Sequence, residues 1–404
     1  MKRSFSLLEP SRATGLVVAG TALIAGTYGL VRLAYGLYLP DMQAGLGFSA
    51  GTAGGISAGA SLVYCLGALL GFLVAPRRAR SLVVAAGATA GLGAAGMALS
   101  QGVGLFAAGA MVSSAGAGLA SPALVATVQR NVAARSVDRA QTVVNAGTGP
   151  GLVAAGVLAL VLLPAWRAAW LVAAVVTAVA AALVLVLDRG PSAHGETPRI
   201  APPAPWVRAH RRLLVAALLL GAGSAAVWTY GRGLLQSAGQ GATASTLAWV
   251  ALGLGGTAVI VTARWTGRLR PATGWAVTAG VVALAPALLV SSTGHLLLAL
   301  VACAAFGWGY TTATGALIAW TSQIDAARAA TGTAVLFVTL VLGQALGAAG
   351  AGVLVGAAGY PATFLAAGAV AGLAALLGLG TGPRTGATAV PGGPALQPAQ
   401  RTAS

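Results

Sequence analysis

The chain breaks into about twelve apolar runs of roughly 20 residues, each long enough to cross a ~30 Å hydrocarbon core as a helix. In the first half they lie near 13–39, 52–75, 81–100, 103–129, 140–163 and 167–187. In the second half they lie near 213–236, 243–263, 272–292, 295–321, 329–356 and 361–381. Hydrophobic residues make up 57% of the 404 and charged residues only 7%, against about 25% charged in a typical soluble domain. A soluble fold of this composition has too little polar surface to cover itself. In lipid every backbone group must be satisfied internally, which runs of this length achieve as helices. The predicted class is an all-α integral membrane protein whose surroundings are the lipid bilayer.

The net charge is +17, and its distribution fixes a topology. All but three of the 23 Lys and Arg residues fall between alternate runs or at the chain ends. The clusters are Lys2, Arg3 and Arg12; Arg77, Arg78 and Arg80; Arg130, Arg135 and Arg139; the segment 188–212; Arg264, Arg268 and Arg270; Arg328; and the tail. Only Arg32, Arg167 and Arg232 remain. The positive-inside rule then makes both termini cytoplasmic and the number of spans even. Charge spread over alternate loops is not a nucleic-acid footprint, and no nucleic acid is expected as a partner. The use of Arg over Lys, with abundant Ala and Gly, fits a high-GC bacterium and therefore a bacterial inner membrane. The first run is too long for a signal-peptide core and reads as a retained helix.

The longest polar interruption, 188–212, carries Pro198, Pro202, Pro203 and Pro205. It is predicted to be a cytoplasmic linker between a six-helix bundle at 1–187 and another at 213–381. Residues 382–404 are rich in Gly, Pro, Ala and Thr and read as a disordered tail.

The two halves also share a pattern of charge. Arg12 and Arg32 flank and punctuate the first run, and Arg212 and Arg232 do the same 200 residues later. Arg32 follows Thr27-Tyr28-Gly29, and Arg232 follows Thr229-Tyr230-Gly231. A charge at membrane depth is costly and marks either a functional site or an interface. Arg32 stands eight residues before Pro40, about 12 Å along a helix, so snorkelling to the headgroups is the competing reading for both arginines.

Other chemistry is sparse. Cys65 and Cys303 are isolated and suggest neither a disulfide framework nor a metal site, and no cofactor is expected. Gly55-Ile56-Ser57-Ala58-Gly59 matches the pattern of a hydrolase elbow. It lies in an apolar run, not on a strand-turn-helix, and the nearest base is the distant His295. An intramembrane serine hydrolase is thus a remote alternative, and the chain is read as no enzyme. The six carboxylates are Glu9, Asp41, Asp138, Asp188, Glu196 and Asp325, none deep in a run. Asp41, just past Pro40, is the best candidate for carrying a proton or for pairing with a cation across the outer mouth. A counter-anion or a protonated solute avoids the need for a buried acid. The lack of such an acid argues against cationic solutes.

Six plus six helices, a cytoplasmic linker and both ends inside resemble the major facilitator superfamily of transporters over essentially the whole chain. Three degenerate motifs carry the resemblance. Gly67 and Gly71 lead to Arg77, Arg78 and Arg80, although Ala75 stands where the family places an acid; Arg264-Trp265-Thr266-Gly267-Arg268 is a partial second copy. Asn145-Ala146-Gly147-Thr148-Gly149-Pro150-Gly151 is similar to the family's antiporter motif, with Pro150 expected to kink the helix. Phe306-Gly307-Trp308-Gly309-Tyr310 matches the glycine-rich stretch Ala115–Pro122 of the first half.

The resemblance implies a monomeric permease that works by alternating access on a small-molecule solute, with protons or a counter-anion as coupling partner. It puts the solute among runs 1, 4, 7 and 10, at Tyr28, Arg32 and Tyr35, Ser113 and Ser114, Trp228, Tyr230 and Arg232, and Trp308 and Tyr310. The expectation is that Arg32 and Arg232 clamp an organic anion, since a guanidinium grips a carboxylate or phosphate with two hydrogen bonds. The alternative is an exporter of neutral or amphipathic compounds with an aromatic site.

Overall fold

The structure, a computed structural model, describes residues 12–189 and 203–379. The tail at 382–404, and Lys2, Arg3, Glu9, Glu196, Pro198 and Pro202, lie outside the described residues. The described residues are helical throughout, with no strand. In chain order the helices are α1 Arg12–Leu46, α2 Ala50–Leu99, α3 Val103–Asn131, α4 Ala134–Leu162 and α5 Trp166–Leu187. After the linker come α6 Ala204–Ser237, α7 Ala242–Thr257 continued by Val259–Thr266, α8 Pro271–Val290, α9 Leu296–Ile324 and α10 Ala329–Leu376.

Among the described residues, nine helices are long and apolar enough to cross a membrane, or ten with the bent α7. Two of them are far too long for one crossing. α2 has 50 residues and leaves helical geometry at Arg78, two residues after Pro76. α10 has 48 and breaks at Gly359, whose φ of 77° precedes Pro361. A left-handed glycine ends a helix cheaply, and a following proline cannot continue it. Read as two spans each, α2 and α10 are consistent with the twelve runs of the sequence.

Three boundaries and one helix interior differ from those expected. Pro40 does not end the first helix, which runs to Leu46; the stop is Gly47, in the left-handed region with its N–H donating to Gln43 O at 2.8 Å. Second, α1 is not a uniform α-helix. Ala25–Arg32 is π-helical, with the Leu33 N–H reaching back to Tyr28 O at 2.8 Å. Third, the break in α4 falls at Ala146 and Gly147. Pro150 is then the third residue of the next helical stretch, where its missing N–H has no partner to lose. Fourth, α6 begins at Ala204, so the last residues of the expected linker are helical. His210 there is buried, stacked on Trp206 at 3.7 Å and 3.0 Å from Thr321 Oγ1.

The 200-residue offset is visible at the ends of the two halves. Arg12 donates to the carbonyls of Leu187 and Val186, at 3.0 and 2.8 Å, where α5 ends. Arg212 donates to Leu379 O, just past the end of α10. Each arginine thus caps the C-terminal end of its half's last helix, where orphan carbonyls and the helix dipole favour a cation.

Large apolar side chains such as Leu66, Leu92, Val161 and Leu297 are exposed along the helix flanks, as suits a surface facing lipid. α6 is enclosed on all sides, with every residue from Gly223 to Leu235 buried. The halves meet at the end remote from the linker. There α1 lies on α6 so closely that a Cβ at Gly36 would fall on the carbonyl of Trp228 and 2.9 Å from that of Thr229. At the linker end, by contrast, Leu16, Leu23, Val83, Leu124, Val128 and Val184 form a core made by the first half alone. The far face is therefore closed.

Candidate solute site

The cavity of interest lies between the halves and has a volume of about 50 Å³. The first half contributes Arg32 and Tyr35 from α1, Ser57 and Ser61 from α2, and Ser113 and Ser114 from α3. The second half closes it with Trp228 and Thr229 from α6 and Gln344 from α10. Apolar walls come from Val31, Leu33, Met97 and small alanines.

Among the described residues, Arg32 is the only charged side chain lining the cavity. It ends the π-helical stretch of α1, a distortion that recurs at functional sites in membrane and soluble helices alike. Its guanidinium sits 4.4 Å over the Tyr64 ring and donates to Gln344 Oε1 at 2.9 Å. Gln344 in turn donates to the Tyr310 hydroxyl at 2.9 Å. Tyr64 shares a 2.9 Å hydrogen bond with Tyr28. A second tie across the halves joins Ser57 Oγ and Thr229 Oγ1 at 3.2 Å.

Arg232 lies elsewhere. Its side chain is fully buried and ion-paired with Asp41. It also donates to Leu37 O at 2.8 Å and to Ser245 Oγ at 3.3 Å. It does not line the cavity, so the expected two-arginine clamp is not formed. The physical reason is rotational. Arg12 to Arg32 and Arg212 to Arg232 span equal numbers of residues, but the π-helical stretch winds more slowly than the regular α-helix of the second half. Equal spacing therefore leaves the two guanidinium groups on different faces.

The other expected site residues divide in the same way. Tyr35 and Trp228 line the cavity, with the Tyr35 hydroxyl donating to Ala53 O at 3.1 Å. Tyr310 stands one contact behind it, through Gln344, and Tyr28 two, through Tyr64 and Arg32. Tyr230 faces α2, donating to Ala50 O at 2.7 Å. Trp308 is tied to α7 by its Nε1, 3.0 Å from Thr262 Oγ1. Ser57, Ser61, Thr229 and Gln344 are lining residues that sequence reading did not choose. A lone Gln inside an otherwise apolar run was the available signal for Gln344.

The motif residues serve the frame. Gly71 lets α2 meet Pro122 on α3, where an added Cβ would touch the ring at 3.0 Å. Arg77 and Arg78 are exposed at the kink. Arg80 takes the carboxylate that Ala75 lacks from another helix end: Asp188, just after α5, lies 3.5 Å away. Asp188 also accepts from Arg130 and, at 2.8 Å, from Asn131. Burial alone would push the Asp188 carboxyl up, but the hydrogen bonds from Arg130 and Asn131 and the charges of Arg130 and Arg80 outweigh it and hold it below the usual carboxylate range. Asn145 and Pro150 are exposed, while Gly149 is buried against Thr257 of α7.

A family model described as Major Facilitator Superfamily matches residues 21–348. No curated protein matches the sequence. Among solved structures, the nucleoside transporter NupG is similar at a TM-score of 0.74 and 13% identity, over 91% of this chain and 98% of that one. A POT family transporter in complex with 5-aminolevulinic acid is similar at 0.71 and 12%, over 91% and 95%. A D-xylose-proton symporter is similar at 0.69 and 14%, over 92% and 98%. At these identities the likeness is one of fold.

Proposed function

We propose that this chain, which belongs to the Major Facilitator Superfamily, carries a small organic anion across a bacterial inner membrane by alternating access, with Arg32 holding the anion. The family is one of transporters, and the chain is a multi-pass membrane transporter and no enzyme. Ser57 accordingly sits within a continuous helix with its hydroxyl against Thr229, which is no hydrolase elbow.

One observation carries the choice of solute. Among the described residues, the only charge lining the cavity is a cation, and its sole acceptor is the neutral amide of Gln344. A guanidinium so placed attracts a carboxylate far more strongly than an amide oxygen. Arg32 belongs to the first half and Gln344 to the second, so an anion that takes Arg32 from Gln344 also loosens a tie between the halves. Binding is thereby linked to the motion that exposes the site to the other side. The charge clusters support a cytoplasmic linker and termini, in which case the closed far face is the outer one.

The aromatic group of Trp228, Phe306 and Tyr310, with ring centroids 5.3–6.1 Å apart, supports the competing reading of a carrier for neutral amphipathic compounds. One experiment separates them. Purified protein is tested by thermal shift against organic anions and neutral analogues, and the hits are followed by uptake into proteoliposomes. A ligand at 100 times its Kd stabilises the native state by about 2.7 kcal/mol. Stabilisation by anions is expected, and Arg32→Gln abolishes it. A normally folded Arg32→Gln that carries the same solute at the wild-type rate overturns the proposal.

A further inference from the structure

We infer that Tyr64 is the positioning residue for Arg32: its ring holds the guanidinium at the cavity before the solute arrives and after Gln344 has let go. The inference rests on the anion reading above and names what keeps the anion-binding group in place.

Arg32 needs such a holder. An arginine side chain has much rotamer freedom to lose on gripping a ligand, and fixing it beforehand removes that cost from the binding step. Among the described residues its only hydrogen bond goes to Gln344, and that is the bond an incoming anion displaces. Whatever aims Arg32 once Gln344 is displaced is a contact of another kind.

Tyr64 supplies it. The guanidinium carbon lies over the Tyr64 ring, 4.4 Å from its centre, well within cation–π range. A ring face takes no N–H donor, so this contact does not compete with an anion for hydrogen bonds. Nε and Nη1 of Arg32 make no hydrogen bond among the described residues, yet they are not shut in as Arg232 Nη2 is. The stack thus steadies the cation and leaves donors for the solute.

Tyr64 is itself fixed from two sides. It is 5% exposed and does not line the cavity. Its hydroxyl shares the 2.9 Å hydrogen bond with Tyr28, whose ring meets it edge-on at 5.9 Å. Its backbone sits against Gly118 of α3, where an added Cβ would fall 2.4 Å from Tyr64 O. Every one of these groups belongs to the first half. Gln344 belongs to the second, held there by Tyr310. When the halves part, Arg32 therefore leaves Gln344 and stays on Tyr64, so the anion travels with the first half on a group that is already in position.

The test changes the charge distribution of the ring and keeps its shape. Thermal shift of the purified full-length carrier against acetate, lactate, succinate and inorganic phosphate selects the anion with the largest Arg32-dependent shift. Uptake of that anion, labelled, into proteoliposomes then gives KM and the maximal rate. Tyr64→Phe keeps the ring and is the reference. The same variant with a trifluorinated phenyl ring keeps the packing but loses the negative ring face. Its KM should rise about tenfold over the reference at an unchanged maximal rate, as expected for loss of a desolvated cation–π contact. Tyr64→Leu should be impaired at least as much, with Tyr64→Phe recovering most of the loss. A tyrosine that only fills space does not respond to fluorine. If the fluorinated ring serves as well as the plain one, or lowers the maximal rate and leaves KM alone, the inference is overturned while the anion reading stands. If no anion of the panel gives an Arg32-dependent shift, the anion reading falls and the inference falls with it.

Discussion

Asp41→Asn tests how the far face closes. Asp41 lies on α1 and Arg232 on α6, and the Arg232 side chain is fully buried while that of Asp41 is 17% exposed. The substitution leaves a permanent cation in the interior with only Leu37 O and Ser245 Oγ to share it; its Nη2 has no partner even now. Removing one member of a buried pair costs about 3–5 kcal/mol. The partial exposure of Asp41 argues for the lower end, about 3 kcal/mol. Because the partners belong to different halves, the cost falls on the closed state alone. When the halves part, water reaches Arg232 and the penalty disappears. At 1.36 kcal/mol per factor of ten, the balance shifts roughly 150-fold towards the far-face-open form. A carrier that was ~99% closed would then be mostly open. The assay is a spin-label distance between Thr52→Cys on α2 and Ala358→Cys on α10, both exposed at the far face. The native Cys65 and Cys303 are replaced by alanine. Asp41→Asn should move the distribution to longer distances. Adding Arg232→Gln, which removes the stranded charge, should restore much of the closed population, because exchanging a whole buried pair for neutral groups is close to neutral. A single variant with the wild-type distribution, or a double variant as open as the single, refutes the reasoning.

Gly36→Val should open the same face by a steric route, since its Cβ would meet the Trp228 and Thr229 carbonyls; the same label pair should show the longer distance at any pH. Asp188→Asn should lower the unfolding temperature in detergent by the equivalent of about 3 kcal/mol, because the part-buried Arg130 loses its carboxylate. The pH dependence of that contribution follows from the lowered Asp188 carboxyl. Stability from it is complete above the unfolded carboxylate value of about 4 and is lost only as pH falls through the lower folded value. Wild type and Asp188→Asn should therefore converge in acid and differ by a constant amount between pH 5 and 8. His210→Ala removes both the stack on Trp206 and the hydrogen bond to Thr321. It should destabilise the second half by about 1–2 kcal/mol without changing solute affinity.

What was legible in the sequence is what a bilayer dictates. Run length gave the helices, because no other single-segment structure satisfies its backbone in lipid, and the match of residues 21–348 places the chain in the family that the six-plus-six pattern resembled. Helix ends were less legible. Pro40 looks like a stop, yet a proline removes only one rung, and the helix ends seven residues later where Gly47 can turn left-handed. Pro150 looks like a kink, yet the break lies just before it, and the proline occupies a first turn that needs no N–H. Ala204–Arg212 looked like linker because it is basic, yet Trp206 and His210 give it a buried face that the charge count hides.

Of the matched pair, Arg32 lines the cavity and Arg232 does not, and the reason is local. Equal spacing in sequence implies equal orientation only if both segments wind alike. The outer pair, Arg12 and Arg212, passes that condition and caps equivalent helix ends. The inner pair fails it, because Ala25–Arg32 is π-helical and its counterpart is not. Two arginines at matched places in the sequence are thereby put to different uses. In one half the guanidinium faces the cavity with a neutral acceptor that a solute can displace. In the other it holds a carboxylate across the halves. Both bonds bridge the halves, but only the Arg32 bond to Gln344 is exposed to competition from an anion in the cavity. Anion binding at Arg32 is thus able to weaken one tie while leaving the Asp41–Arg232 tie intact, so the solute alone does not open the far face. Asp41→Asn removes that remaining tie, so the variant should open its far face without solute while solute binding still requires Arg32.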